Sequence, residues 1–160
     1  MLFFVFFGVG KAQTFQSEED IKHPVKMPLG ILRLLKKTEQ VASCVRSEEL
    51  ESAAKLDRSW FQAATVKLNG DRFTDYVVKN VHPCLNGPRA ASWWIFRGGP
   101  KGFVMVMEET VLTLTIKKTK TAGFRDIQTE TAMMRIIRNQ WKYDSRKYKL
   151  KSTKFIEVGK

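Results

Sequence analysis

Residues 92–150 read SWWIFRGGPKGFVMVMEETVLTLTIKKTKTAGFRDIQTETAMMRIIRNQWKYDSRKYKL, and their spacing decides the fold. Short apolar runs are separated by turn residues, the spacing of an antiparallel meander rather than of helices or βαβ units. Val111 to Lys118 alternates cleanly, with Leu112, Leu114 and Ile116 on one side and Thr113, Thr115 and Lys117 on the other. Phe103 to Glu108 is apolar in both phases and is expected in the centre of a sheet. After the basic connection KTKTAGFRDI, Lys118 to Ile127, the strand Phe124 to Glu130 returns. Met134 and Ile136 share one phase while Trp141 and Tyr143 share the other, so a β-bulge is expected near Arg138 to Gln140. A helix over Thr131 to Trp141 fits the same residues, and the choice between strand and helix stays open. Asp144 to Lys147 is read as a turn between Tyr143 and Tyr148, and Phe155 to Val158 as an edge strand.

Working towards the N-terminus, Ser59 to Leu68 and Asp75 to Val81 form a hairpin closed by NGDRFT, and VHPCLNGPRAAS (81–92) is a loop by its Pro, Gly and Asn content. Ahead of the hairpin, Leu29, Ile31, Leu32, Leu35, Val41 and Val45 recur at helical spacing behind Pro28, and Ser47 to Lys55 makes a second helical piece. The fold class is therefore α+β and mainly β, an antiparallel meander forming a sandwich or a curled sheet, with N-terminal helices on one face. Residues 1–12 read as a leader, 13–27 as an extended lead-in and 28–160 as a single domain, helical over 28–57 and β-rich over 59–158.

Leu2 to Val9 is apolar but too short to span a bilayer, and small residues follow, so cleavage after Ala12 is expected. The mature chain then holds no transmembrane segment and is exported, to the periplasm or the medium. In such a compartment Cys44 and Cys84, the only two cysteines, are a candidate disulfide. The net charge of +12 draws the protein towards an acidic partner, a protein or polymer of the envelope. Nucleic acid is a poorer match, because the tryptophans lie in apolar strands rather than on an exposed stacking surface.

Two stretches carry a resemblance. Val66 to Val78, VKLNGDRFTDYVV, looks like a degenerate form of a DLNGDGxPDLVV signature. Trp94 to Arg97, KTKTAGFRDI and the pair Tyr143 and Tyr148 are similar to stretches reading WVFR, KTRTNGYRDI and YRFDGRRY in uncharacterised exported bacterial proteins, many from acidobacteria. The resemblance covers roughly Pro24 to Leu150 and implies no activity.

Asn69, Asp71 and Asp75 are the candidate calcium ligands of the LNGD loop, but Lys67 and Arg72 stand where that loop type places an acid and a glycine. His82 and Cys84 could pair as base and nucleophile, and Glu108, Glu109, Asp126 and Glu130 could supply two carboxylates for glycoside chemistry. Charge beside lysine or arginine is more commonly a solvated ion pair, and the chain holds no phosphate loop, nucleophile elbow or zinc motif, so no cofactor is expected. The expectation is an exported, non-enzymatic binding or structural module, with Lys117, Lys118, Lys120, Arg125, Arg146 and Lys147 as its recognition surface. The rivals are a small cell-wall-directed hydrolase and a periplasmic inhibitor of a hydrolase.

Overall fold

The computed structural model describes residues 11–47, 56–86, 89–132 and 135–157. Two four-stranded meanders follow one another. β2 (Phe61–Val66), β3 (Asp75–Asn80), β4 (Ala91–Gly99) and β5 (Gly102–Val111) form one sheet in sequence order. β6 (Thr113–Thr121), β7 (Phe124–Ala132), β8 (Ile136–Tyr143) and β9 (Tyr148–Ile156) form the other, and β1 (Gln13–Gln16) adds antiparallel to the edge of β6. Every pairing is antiparallel. The chain is α+β and mainly β, and the meander takes the sandwich form rather than that of one curled sheet.

Alternation explains the layers. On the second sheet Leu114, Ile116, Ile127 and Tyr143 point inward and meet Val66, Val77, Trp93 and Ile95 of the first. The opposite face of the first sheet presents Phe61, Ala63, Val78, Trp94 and Phe96 to Ile31, Leu32 and Leu35 of α1 (Leu29–Leu35) and Val41 and Val45 of α2 (Glu39–Ser47). The first sheet is thus covered on both sides. Its β4 is buried continuously from Ala91 to Phe96, which is why Trp93 and Trp94, adjacent and opposite in direction, are both fully buried. Each indole finds an acceptor, Trp93 the Val111 carbonyl at 3.2 Å and Trp94 the Glu108 carboxylate at 2.8 Å.

Several expectations are corrected. Phe103 to Glu108 is not central, since β5 is the edge of its sheet and the doubly covered apolar strand is β4. The helical run is broken at Thr38, whose hydroxyl accepts from Val41 N–H at 3.4 Å and so starts a second helix rather than continuing the first. The predicted helix Ser47 to Lys55 falls, after Ser47, outside the described residues. The lead-in is partly sheet, because Gln13 to Gln16 pairs with Ile116 to Thr113. Thr131 to Trp141 is strand on both sides of residues 133–134, which lie outside the described set. A register shift sits where it was expected, but Gln140 and Trp141 face Ser152 and Leu150, so the extra residue is Lys151 of β9. The final strand begins at Tyr148 rather than Phe155, and its exposed lysines 149, 151 and 154 line the sheet edge, the residue type that blunts edge-to-edge pairing.

Candidate functional site

Up-and-down connectivity puts alternate turns at the same end. The connections β2–β3 (67–74), β4–β5 (100–101), β6–β7 (122–123) and β8–β9 (144–147) all lie at one end of the sandwich. They carry Lys67, Arg72, Lys101, Arg146 and Lys147, with Lys118 and Lys120 on the last part of β6, all exposed. Against these stand the exposed Asp71 and the half-buried Asp144, the latter paired with Lys149 at 2.5 Å. The Asp144 carboxyl is held down at about 2 by the Lys149 hydrogen bond and by N–H groups of its own turn. Few carboxylates therefore offset the cations of this end.

A node of buried polar groups joins the two sheets beneath the turns. Asp75 is fully buried; its two oxygens accept the Leu68 and Gly98 N–H groups, both at 3.0 Å. Burial raises its pKa above the usual carboxylate value, against the lowering effect of those two hydrogen bonds. Gly98 must be glycine, because a Cβ there would collide with the Thr74 carbonyl. The Leu68 carbonyl accepts from Arg125 N–H at 2.7 Å, and the Arg125 carbonyl accepts from Tyr148 Oη at 2.7 Å. Arg97 donates to Tyr143 Oη at 2.8 Å, and Phe124 stacks on the Tyr143 ring at 3.8 Å. The LNGD loop, the WIFR strand, the KTKTAGFRDI connection and the two tyrosines, far apart in sequence, therefore meet at one place.

Arg125 differs most from its expected place. It is 7% exposed, and its guanidinium donates to the carbonyls of Lys117 (2.5 Å), Lys11 (2.8 Å) and Ile116 (3.1 Å). The cause lies in β6, where Lys117 to Thr119 bulge opposite Asp126 alone, since Ile116 pairs with Ile127 and Lys120 with Arg125. Such a bulge leaves carbonyls without ladder partners, and the planar fork of donors satisfies them. Arg125 is in phase with the inward Ile127, a signal readable from sequence that points it to the interior. Of the other predicted recognition residues, Lys118, Lys120, Arg146 and Lys147 are exposed at the turn end, while Lys117 leans along the outer sheet face to Gln140 Oε1 at 3.3 Å.

Beside the node a cleft of ≈ 480 Å³ opens between the sheets, lined by Lys11, Gln13, Thr65, Val66, Lys67, Thr74 and Arg125. Three cations and no carboxylate face it, which suits an anionic group. Lys67 and Arg72 entered the sequence reading only as obstacles to calcium, so their part in this surface went unread. A larger cleft of ≈ 590 Å³ runs between β1, the segment after it and β2, where Glu19, Asp20, Lys22 and His23 mix both signs.

The remaining candidates separate. Asp71 accepts from Asn69 Nδ2 (2.7 Å) and Phe73 N–H (2.9 Å), and Asp75 is turned into the core, so the LNGD oxygens close the turn on itself. Cys84 is bonded to Cys44 across a Cα–Cα distance of 5.7 Å, which takes away the thiol that His82 would have activated. Glu108 and Glu109, adjacent on a strand, point to opposite faces, and Glu130 is tied to Arg138 at 2.7 Å on the outer face of the second sheet. Asp126 alternates with Ile127 and is buried, so these carboxylates do not form the facing pair of a glycosidase. Glu109 does line a cleft of ≈ 310 Å³ with Trp141, Lys147 and Tyr148, and burial followed by the charge of Glu108 raises its pKa. No helix among the described residues is long and apolar enough to cross a membrane. No protein-family model, curated protein or solved structure matches this chain.

Proposed function

We propose that this chain is an exported binding module, without catalytic function, that holds an acidic partner of the cell envelope at its turn end. The observation that carries the reading is the cleft lined by Lys11, Lys67 and Arg125 with no carboxylate, at the same turn end that exposes Lys101, Lys118, Lys120, Arg146 and Lys147. An anionic side chain or polymer unit entering it would meet fixed cations in a partly desolvated site, where charge pairing is stronger than on open surface. The exposed lysines of the turn end would steer the partner inward over a distance set by salt.

Export is supported by the disulfide, a bond of oxidising compartments, and by the apolar stretch ahead of Ala12. β1 begins at Gln13, so cleavage after Ala12 would leave the strand whole. It would remove Lys11, with the carbonyl that accepts from Arg125, and put the new α-ammonium on the same rim.

The test is equilibrium binding to poly-L-glutamate of the wild-type chain and of a variant carrying Lys67→Ala, Lys118→Ala, Lys120→Ala and Lys147→Ala. The variant is expected to bind roughly tenfold or more weakly, about 1.4 kcal/mol or above. Equal binding would sink the reading.

A further inference from the structure

At the opposite end of the sandwich the disulfide has a third neighbour. The ligand atoms of Cys44, Cys84 and His82 lie within 4.8 Å of one another, on α2 and on the turn that follows β3. His82 Nδ1 is buried and has no hydrogen-bond partner, while its ring is held by stacking on Trp60 at 3.7 Å with 10° between the planes. Buried polar atoms nearly always have partners, so an imidazole nitrogen of this kind beside two sulfurs calls for an explanation.

The segments bearing the three groups are also held in place without the disulfide. Asn80 Nδ2 donates to the His82 carbonyl (3.2 Å) and to Asn86 Oδ1 (2.6 Å), fixing the two ends of the turn. Ser92 Oγ donates to the Leu85 carbonyl at 2.9 Å and is hydrogen-bonded to Gln40 of α2. Val41 and Val45 anchor that helix in the apolar core. Opening the S–S bond therefore leaves both thiols and the imidazole near one another, and the groove lined by Glu39, Gln40, Ser43 and Ser47 gives access.

We propose that reduction turns this cluster into a binding site for a thiophilic d10 cation, Zn²⁺ or Cu⁺. A dithiol reductant supplies two electrons and two protons: the S–S bond breaks, Cys44 and Cys84 become thiols, and the reductant closes its own disulfide. The cation then displaces both thiol protons and is held by two thiolates at about 2.3 Å and by the lone pair of one imidazole nitrogen at about 2.0 Å. Two soft sulfurs and one borderline nitrogen suit ions of this class and not calcium or magnesium. Three ligands complete a trigonal shell for Cu⁺ and leave Zn²⁺ one position for water. The metal joins α2 to the turn where the disulfide joined them, so both states keep one fold.

The full chain, reduced with a phosphine and freed of it without air, is titrated with Zn²⁺ and separately with Cu⁺ against a chromophoric competitor. The reduced chain is expected to bind one ion and the oxidised chain none. His82→Ala is expected to weaken binding by roughly 10–100-fold or more. That variant keeps both cysteines, so its fold is checked by circular dichroism in the oxidised state first. Cobalt(II), as a probe, is expected to give a sulfur-to-metal charge-transfer band in the reduced wild type alone. Equal binding by the oxidised chain, equal binding by reduced His82→Ala, or binding of neither ion would overturn the proposal. So would a reduced chain that unfolds and is not restored by metal.

Discussion

At one end of the sandwich Cys44 is bonded covalently to Cys84, while at the other the sheets are joined by hydrogen bonds from Arg125 N–H to the Leu68 carbonyl and from Arg97 to Tyr143, with Asp75 and Tyr148 bracing either side. The covalent end ties helix to turn over an apolar layer. The hydrogen-bonded end has its polar groups turned inward to satisfy a bulge and a loop, and its lysines turned outward. The contrast explains how a basic surface forms without a helix dipole or a metal. These cations stand on the hairpin turns and on the last part of β6, above the buried node.

Changes at each end test that contrast, and the largest effect belongs to the covalent one. Replacing both cysteines by serine is expected to lower stability by about 3–4 kcal/mol in chemical denaturation, because the bond closes a loop of 40 residues. At the other end Arg125→Ala leaves three carbonyls short of a donor and should cost about 2–4 kcal/mol. Arg125→Lys should not restore it, since a single ammonium cannot reproduce the planar fork. If either change at Arg125 left the melting temperature unmoved, the guanidinium would not be what holds the β6 bulge.

Asp75→Asn replaces one acceptor oxygen by an amide facing a buried N–H and should cost about 1–3 kcal/mol at neutral pH. Its pH dependence has a defined sign. The folded pKa is raised above 3.8, so the favourable contribution of the protonated form is fully present below that value and is lost as pH rises through the folded pKa. Asp144 runs the other way, its contribution being present above 3.8 and lost as pH falls towards about 2. Acid titration of stability in Asp75→Asn and in Asp144→Asn should therefore change in opposite directions. The smallest effect is expected at the β6–β7 turn, where Ala122 and Gly123 both have positive φ, 51° and 80°. Ala122→Asn should stabilise by about 0.5–1 kcal/mol, because asparagine accepts the left-handed conformation that alanine resists. A lower melting temperature in that variant would contradict the turn type.

Strand alternation was the part most legible in sequence, since Leu114 and Ile116 can face only one layer at a time. The disulfide pairing also held, as did the helices on one face. Long-range partners were not legible. The phase shared with Ile127 points Arg125 inward, but nothing near it announces that its N–H meets the Leu68 carbonyl, 57 positions away. The apolar spacing from Leu29 to Val45 runs on through Thr38 without a sign of the break, although the Thr38 hydroxyl starts a new helix. β5 was expected in the centre of its sheet and lies at the edge, because apolar content in both phases marks a strand as covered without saying which neighbours cover it.

The most direct measurement is the salt dependence of poly-L-glutamate binding for two variants of equal charge. One carries the alanine changes at Lys67, Lys118, Lys120 and Lys147, the other alanines at the exposed Lys22, Lys26, Arg33 and Lys37, in the segment 22–37 rather than on the hairpin turns. Each lowers the net charge of +12 by four. The first is expected to bind weakly with a shallow slope of log K against log salt, and the second to keep nearly the wild-type slope. Equal weakening of both would show that the whole field of the protein, and not the turn end, attracts the acidic chain.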